Sequence, residues 1–182
     1  MGFKQIKNLK KTDKFKGRNV LILGGLGFIG SNLAHRLVEL GATVVLVDSM
    51  LEQYGGNMSN IEGIEDKVKI NFSDIRDDHS LRYIVRNVDV NGINKLAAEN
   101  YYRLYSKVHG LKCISLRLTN TYGPRQQLHG NTQGFAGIFI RKAIDGEKIK
   151  IFGTGEQLRD FNYIDDVVDA CLLSVDYKEL FG

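Results

Sequence analysis

The stretch that most constrains the fold of this chain is NVLILGGLGFIG, at residues 19–30. Its apolar start predicts a buried strand, and the residues that follow predict a helix over 31–40. Three glycines are spaced through the turn, and each has a separate use. Gly24 lets the chain turn off the strand, Gly27 lets the main chain approach a diphosphate, and Gly30 lets the helix pack against the strand. We therefore expect a dinucleotide at this turn, with its phosphates at the N-terminus of the helix.

The run VVLVDS predicts a second buried strand that ends at Asp48, eighteen positions after Gly30. A carboxylate at that place can accept hydrogen bonds from both ribose hydroxyls of an adenosine. No lysine or arginine occurs between residues 43 and 66, so a 2′-phosphate would meet Asp48 without a neutralising cation, which favours NAD over NADP. Phe28 and Ile29 lie in the same turn and belong to the predicted cofactor site. The alternative is a glycine-rich turn that holds no ligand.

The alternating run KVKINFSDIRD predicts a third strand. This strand ends at Asp74 and Ile75, a position that would place both residues beside the adenine. Asp74 has an equally simple alternative role as a helix cap or turn residue. The helix itself is predicted over residues 77–89.

The order of the predicted elements breaks near residues 88–92. A doubly wound sheet needs a fourth strand beside the first, whereas the third helix passes almost at once into another long helix, at residues 94–108. Without the fourth strand, the first strand would be an open sheet edge that is apolar on both faces. We infer that a strand–helix–strand piece of about 50 residues or more is absent from the sequence.

Composition and charge set the remaining bounds. A chain of 182 residues with 43% hydrophobic content suits one domain of ordinary size, or most of a larger one. No apolar run reaches the roughly 18 residues of a membrane span, and the N-terminus lacks the apolar segment of a secretory signal, so we expect a cytoplasmic protein with no membrane partner. Residues 1–18 hold seven basic side chains and one acidic one. A solvated basic leader is favoured over an arm that binds polyanions, and no nucleic-acid partner is expected.

Six motifs together resemble one known family. They are GGLGFIG at 24–30, the acid at 48, SDIRD at 73–77, NGINKLAAENY at 91–101, LRLTNTYGPRQ at 116–126 and GTGEQLRDFNYIDDVVDA at 153–170. In this order they resemble the extended short-chain dehydrogenases/reductases, the NAD-dependent epimerase/dehydratase family that acts on nucleotide sugars.

The resemblance implies an α/β fold, a doubly wound parallel sheet of Rossmann type with part of a smaller C-terminal substrate-binding lobe. It divides the chain into the basic leader at 1–18, a dinucleotide-binding domain at 19–125 and a partial substrate lobe at 126–182 that is interleaved with the last sheet elements. It also implies NAD as the cofactor, a nucleotide-diphosphate sugar as the substrate, and a homodimer formed through the long helix at 94–108.

The family's catalytic pair, Tyr-x-x-x-Lys, is matched only in its lysine. Lys95 corresponds to the lysine that binds the nicotinamide ribose and lowers the pKa of the tyrosine, although a solvated lysine is the alternative. Asn91 stands where the tyrosine is expected, and its amide cannot serve as a proton acceptor near neutral pH. Three explanations remain: a variant site with another base, a protein that binds without turnover, or a misalignment caused by the nearby break.

The resemblance also assigns the substrate side. It implies that Thr119 faces the nicotinamide, that Asn120 reaches the substrate diphosphate and that Arg159 grips that diphosphate with its guanidinium fork. The alternatives are a plain turn residue at Asn120 and a surface ion pair between Arg159 and Asp160.

The second half of the chain predicts strands at 111–118 and 148–152 and a helix at 138–144. Asp165 and Asp166 are expected to begin the last helix as N-terminal acids, and no metal site is predicted. Cys113 and Cys171 lack metal-ligand spacing and are expected to be reduced core residues.

These features favour a nucleotide-sugar epimerase, similar to UDP-glucose 4-epimerase, that oxidises its sugar transiently with NAD. A 4,6-dehydratase and a non-catalytic NAD- or nucleotide-sugar-binding protein are the alternatives.

Overall fold

The computed structural model describes residues 13–51, 55–74, 89–90, 104, 106–110, 112–128 and 134–177 of an α/β protein. Its regular elements are β1 (Asn19–Leu23), α1 (Phe28–Glu39), β2 (Thr43–Asp48), β3 (Val68–Phe72), β4 (Asp89–Val90), β5 (Asn120–Tyr122), α2 (Phe135–Ile144), β6 (Phe161–Tyr163) and α3 (Ile164–Ser174). Short 3-10 turns lie at Asp13–Phe15, Met58–Ile61 and Glu65–Lys67.

The first sheet is parallel, with the strand order β3-β2-β1-β4. Leu21 of β1 pairs with Val45 of β2, and Asp48 at the end of β2 pairs with Phe72 of β3. Because these strands are parallel, their carboxyl ends meet at one edge of the sheet, which is where doubly wound folds bind ligands. The predicted fold class and the first three strands are confirmed.

The core lies where α1 covers the first sheet and continues to α3. Apolar side chains of β1 and β2 form its sheet side, as is usual for parallel strands, whose faces are buried. Helix α1 packs on β1 and β2, and α3 packs on α1. The buried members of the cluster include Val20, Ile22, Leu33, Ala34, Leu37, Val44, Leu46, Ile164, Val167, Val168 and Leu172.

The break near residues 88–92 needs one correction. The sequence predicts no strand there, but Asp89 and Val90 form a short strand that pairs with Val20 and Leu21 of β1. The first half of β1 is therefore not an open edge. Within the described residues, no pairing on that side continues to the rest of β1. The predicted helix at 77–89 lies outside the described residues except at Asp89, and the helix at 94–108 is described only at Leu104 and at residues 106–108.

The predictions of strands at 111–118 and 148–152 are wrong. Residues 112–119 and 148–152 form no strand, and the side chain of Phe152 is 84% exposed. The strands that do form in this half, β5 and β6, pair with each other and with no other strand of the described residues. A strand is stable only beside a partner, and in the doubly wound order the partner of the 111–118 stretch would belong to the absent piece. The predicted helix at 138–144 is present and begins earlier, at Phe135.

The end of the predicted leader folds onto the domain. Phe15 is buried in the core, and the N–H of Gly17 donates to the carbonyl oxygen of Gly41 at 2.8 Å. Lys14 forms an ion pair with Asp176, whereas residues 1–12 lie outside the described part. Among the helices that the structure describes, none has the length and apolar character of a membrane span.

Candidate dinucleotide and substrate site

The glycine turn between β1 and α1 has one position that favours glycine by its backbone conformation and one that only glycine can occupy. Gly24 has a φ of +73°. Its N–H donates to the carbonyl oxygen of Val47 at 2.8 Å, so a hydrogen bond to β2 holds the chain where it turns off β1. A Cβ on Gly30 would lie 2.2 Å from the carbonyl oxygen of Gly24, a distance that no side chain could tolerate. This geometry agrees with the turn predicted at Gly24 and with the close helix packing predicted at Gly30.

Gly27 differs from those two glycines. Its φ is −81°, which any residue can adopt, and the nearest atom to an added Cβ would be the carbonyl oxygen of Gly24 at 3.4 Å. Gly27 is also the N-cap of α1, and no side chain bonds to the helix start there. Phe28 and Ile29, the next two residues, are half-buried. The space before the helix therefore offers main-chain N–H groups and the positive dipole end to an anion.

Asp48 is 8% exposed and lies at the end of β2, against the same turn. Its Oδ2 accepts a hydrogen bond from the N–H of Leu26 at 3.0 Å, and its Oδ1 accepts one from the N–H of Met50 at 2.9 Å. Each carboxylate oxygen has a second lone pair, so the acid can hold the turn and still accept ribose hydroxyls. A Cβ on Gly56 would approach Oδ1 to 3.0 Å, and glycine at 56 therefore keeps this carboxylate uncovered.

Asn60 belongs to the same arrangement, and sequence reasoning did not identify it. Its Nδ2 donates to the carbonyl oxygens of Leu26 at 2.8 Å and of Gly55 at 3.2 Å, while the N–H of Asn57 also donates to Leu26 at 3.1 Å. The main chain of Leu26 is thus fixed on both sides of its Cα, at the N–H by Asp48 and at the carbonyl oxygen by Asn57 and Asn60. A single asparagine in a short 3-10 turn follows no sequence pattern that could have predicted this contact.

Asp74 lies near the same sheet edge. The N–H of Ser73 donates to the carbonyl oxygen of Asp48 at 3.1 Å, which keeps the residues after β3 beside the end of β2. Asp74 is half-buried there. Ile75 lies outside the described residues.

A cavity of about 280 Å³ lies between the end of β1 and the start of α1. Its walls are the glycine turn and apolar side chains, namely Ile22, Leu23, Gly24, Gly27, Phe28, Ile29, Gly30 and Leu33. No polar side chain is among these lining residues, so any polar group of the cavity comes from the main chain, and Asp48 lies outside its lining.

The second sheet brings the predicted substrate residues side by side. Asn120 pairs with Phe161 across β5 and β6, and its Nδ2 donates to the carbonyl oxygen of Asp160 at 3.0 Å. Arg159, the preceding residue, is exposed, and its Nη1 donates to the carbonyl oxygen of Leu158 at 3.0 Å. No ion pair with Asp160 is found in this described segment. Thr119 is exposed directly before β5.

The predicted catalytic residue, Lys95, lies outside the described residues, and so does Asn91, which stands where the family's tyrosine is expected. Their roles stay predictions.

Asp165 and Asp166 lie in the first turn of α3, as predicted. In the part of the chain that the structure describes, no group of three or more His, Cys, Asp or Glu side chains could hold a metal ion. Burial raises the pKa of the Cys171 thiol to about 11 and also raises the pKa of Cys113. Both cysteines are unpaired, and their raised pKa values keep them protonated near neutral pH.

A doubly wound parallel sheet, a glycine turn at the start of the first helix and an acid at the end of the second strand define a Rossmann-type dinucleotide-binding protein. Comparison with known proteins gives the family. Residues 87–180 match the model of the NAD dependent epimerase/dehydratase family, and residues 21–103 match that of GDP-mannose 4,6 dehydratase. The chain belongs to the NAD-dependent epimerase/dehydratase family, whose members are enzymes.

Individual relatives agree with this assignment. A putative UDP-glucose 4-epimerase of Methanocaldococcus jannaschii is 28% identical over 229 residues, which cover 87% of this chain and 74% of the relative. The UDP-N-acetylglucosamine 4-epimerase of Methanobrevibacter ruminantium, solved with UDP-N-acetylmuramic acid, has a TM-score of 0.79 at 22% identity and covers 88% of this chain and 74% of its own. The dTDP-glucose 4,6-dehydratase of Bacillus anthracis, solved with NAD, has a TM-score of 0.77 at 18% identity, with coverages of 90% and 73%. At these identities the two solved structures show the shared fold.

The alignment lengths also bear on the absent piece. The match to the Methanocaldococcus jannaschii relative runs over 229 residues, whereas 87% of 182 residues is about 158. About 71 positions of that alignment therefore have no residue from this chain. This number agrees with the inference that a strand–helix–strand piece of about 50 residues or more is absent from the sequence.

Proposed function

We propose that this protein is a UDP-hexose 4-epimerase that binds NAD across the glycine turn. The observation that carries the proposal is the position of Asp48, whose carboxylate is bonded to the N–H of Leu26 at the end of β2. An acid at that place serves the ribose of an adenine dinucleotide. The likeness to UDP-glucose 4-epimerases supports the choice of reaction.

The residues of the turn fit NAD. Gly27 has no packing contact that requires glycine, so the close approach of a diphosphate to an uncapped helix start is the reason we assign to it. Both bonded partners of the Asp48 carboxylate are main-chain N–H groups, which supports NAD over its 2′-phosphorylated form. Asp74, near the same edge, would meet the adenine. Bound NAD supplies reversible hydride acceptance from a sugar carbon.

The substrate would lie toward the second sheet. The carbonyl of Asp160 fixes the side chain of Asn120 at 3.0 Å, and the exposed guanidinium of Arg159 follows the same segment. An amide donor beside a guanidinium fork suits a diphosphate, because the fork can bond two phosphate oxygens at once. A nucleotide-diphosphate sugar is the substrate class that this pair would recognise, and Thr119 would lie between it and the nicotinamide.

A second candidate is a protein that binds NAD and a nucleotide sugar without turnover. Asn91 at the place of the family's tyrosine favours it, since an amide cannot take a proton from a sugar hydroxyl near neutral pH. Lys95 would then bind the nicotinamide ribose without a base to assist.

The test is a titration of the folded chain with NAD, followed by incubation with NAD and UDP-glucose, UDP-N-acetylglucosamine or dTDP-glucose. Proton NMR of the anomeric region reports the product. A C4-inverted sugar supports the epimerase, a 4-keto-6-deoxy sugar supports a dehydratase, and saturable sugar binding without conversion supports the binder. The Asn91→Tyr variant is the matched comparison, because it restores the family's base. If the folded wild-type chain takes up no NAD, the proposal is wrong.

A homodimer is proposed with the same function. Leu104 and Val108 belong to the long helix that the resemblance assigns to the dimer contact, and their side chains are 55% and 63% exposed. Light scattering of the purified protein tests the mass of the particle, and a monomer at all concentrations would contradict the proposal.

A further inference from the structure

We infer that Asn32 and Arg125 are positioning residues that hold the substrate loop, defined as residues 119–125 and made of β5 with the turn after it, against the cofactor helix α1. The inference rests on the proposed function, because it assigns a task to the loop that carries Thr119 and Asn120. No local sequence pattern predicts a contact between Asn32 and Arg125, which are more than 90 positions apart in the chain.

Asn32 is 7% exposed and lies one turn after Phe28, the first residue of α1. Its Nδ2 donates to the carbonyl oxygens of Phe28 at 2.8 Å and of Pro124 at 3.0 Å. Its Oδ1 accepts a hydrogen bond from Nη1 of Arg125 at 2.7 Å. Both donors and the acceptor of one buried amide are therefore used, and two of the three bonds reach the loop.

The loop is fixed on its other side by α3. Gly123 has a φ of +147°, and a Cβ on it would approach Cγ2 of Ile164 to 2.4 Å. Ile164 is fully buried and is the first residue of α3. Arg125 itself has a φ of +68°, which is uncommon for a residue other than glycine. The segment from Gly123 to Arg125 is thus clamped between α1 and α3.

The clamp connects the two halves of the proposed site. Asn32 is one helical turn from the start of α1, where the NAD diphosphate would bind, and Asn120 lies at the beginning of the loop that Asn32 holds. Among the described residues, Asn32 bonds main-chain oxygens and Arg125, so its loss should free the loop without removing a group that faces the dinucleotide. The expected effect is weaker binding of the nucleotide sugar with little change in the binding of NAD.

The experiment compares Asn32→Ala, Arg125→Ala and the double variant with the wild-type chain. Hydrogen exchange followed by mass spectrometry measures the amides of residues 120–126, and separate titrations measure NAD and UDP-glucose. Each single variant should raise the exchange rate at least tenfold and weaken UDP-glucose binding about tenfold, while NAD binding stays within twofold. Because both residues act through one contact, the double variant should be no worse than either single variant. Asn32→Asp, which keeps the acceptor for Arg125 and loses the donor to Pro124, should lie between.

Arg36→Ala is the matched control. Arg36 lies one turn further along α1, and its Nη1 bonds Oδ1 of Asp169 in α3 at 2.9 Å. This variant also removes a contact of α1, so it should lower the melting temperature without changing loop exchange or UDP-glucose binding. Unchanged loop exchange in Asn32→Ala would overturn the inference, and so would an equal weakening of NAD and UDP-glucose. If the wild-type chain binds NAD but no UDP-glucose while Asn32→Ala still frees the loop, the proposed substrate is wrong and the clamp is supported.

Discussion

The carboxylate of Asp48 accepts a hydrogen bond from the main-chain N–H of Leu26 at 3.0 Å, so the end of the second strand fixes the shape of the glycine turn. The carbonyl oxygen of Leu26, in the next peptide group, accepts a hydrogen bond from the side chain of Asn60 at 2.8 Å. The turn is therefore held from two sides by groups outside it. A binding surface built from main-chain N–H groups depends on this support, because pre-organised donors lose less freedom when they meet a ligand.

Asp48→Asn should lose NAD affinity while the chain still folds. The amide can accept with only one of its two end groups, so the bonds from Leu26 and Met50 and those to the ribose can no longer all form. We expect NAD binding to weaken by about 2 kcal/mol, roughly 30-fold, as for hydrogen bonds to a charged group. Isothermal titration calorimetry measures the loss. Asp66→Asn, at an exposed acid in a short turn, is the control, and equal affinities of Asp48→Asn and the wild type would contradict the prediction.

Gly27→Ala and Gly30→Ala should fail for different reasons. An added methyl at 30 would lie 2.2 Å from a main-chain oxygen, so α1 must move and stability should fall by about 3 kcal/mol. An added methyl at 27 meets its nearest atom at 3.4 Å, an ordinary contact, so the fold should survive. The same methyl would occupy the path of the diphosphate and reduce NAD binding at least tenfold. Urea unfolding and NAD titration of both variants separate the two effects, and Gly27→Ala with unchanged NAD affinity would contradict the second.

The parts of this fold that sequence could predict are those determined locally. The path from β1 through the glycines to Asp48 follows from apolar runs and from the special conformations of glycine, which act within a few residues. The stretch at 111–118 has the same apolar character, yet residues 112–119 form no strand, because pairing depends on a neighbour elsewhere in the chain. The hydrogen bonds of Asn32 and Asn60 to distant residues could not be predicted either, because no sequence pattern shows which distant group an amide side chain will bond.

His35 should titrate below its ordinary range, and Arg125 should be part of the cause. Burial lowers the pKa of His35 first, the charge of Arg125 lowers it further, and the contact of Nε2 with the carbonyl oxygen of Asn60 opposes both. Arg125→Ala should therefore raise the pKa. Because the folded chain resists protonation of His35, its contribution to stability should be lost as pH falls below the ordinary range of histidine.

NMR of the imidazole Cε1–H signal measures this titration, and His35→Gln identifies the signal among the four histidines. Lys107→Ala is the control. It removes the positive charge of an exposed lysine in the helical residues 106–109, a charge that is not among the causes of the His35 shift, and it should leave the pKa of His35 unchanged. An unchanged pKa in Arg125→Ala would contradict the prediction and would mean that this guanidinium does not act on the ring.

Arg36→Ala should cost more stability near neutral pH than in acid. Burial raises the pKa of Asp169, whereas Arg36 lowers it through its charge and its hydrogen bond. Without Arg36 the pKa of Asp169 should rise further, so the native state binds a proton that the unfolded chain releases, and stability falls as pH rises through that window. Removing one partner of this largely buried pair should cost about 3 kcal/mol at pH 7 and clearly less in acid, as Asp169 takes up a proton and loses its unpaired charge. Urea unfolding at neutral and at acid pH measures the difference. Adding Asp169→Asn to Arg36→Ala removes the unpaired charge and should reduce the pH dependence of the cost, leaving the part due to Glu39 at 3.7 Å and Asp165 at 4.0 Å from Arg36. An equal cost of Arg36→Ala at both pH values would show that Asp169 is not its main electrostatic partner.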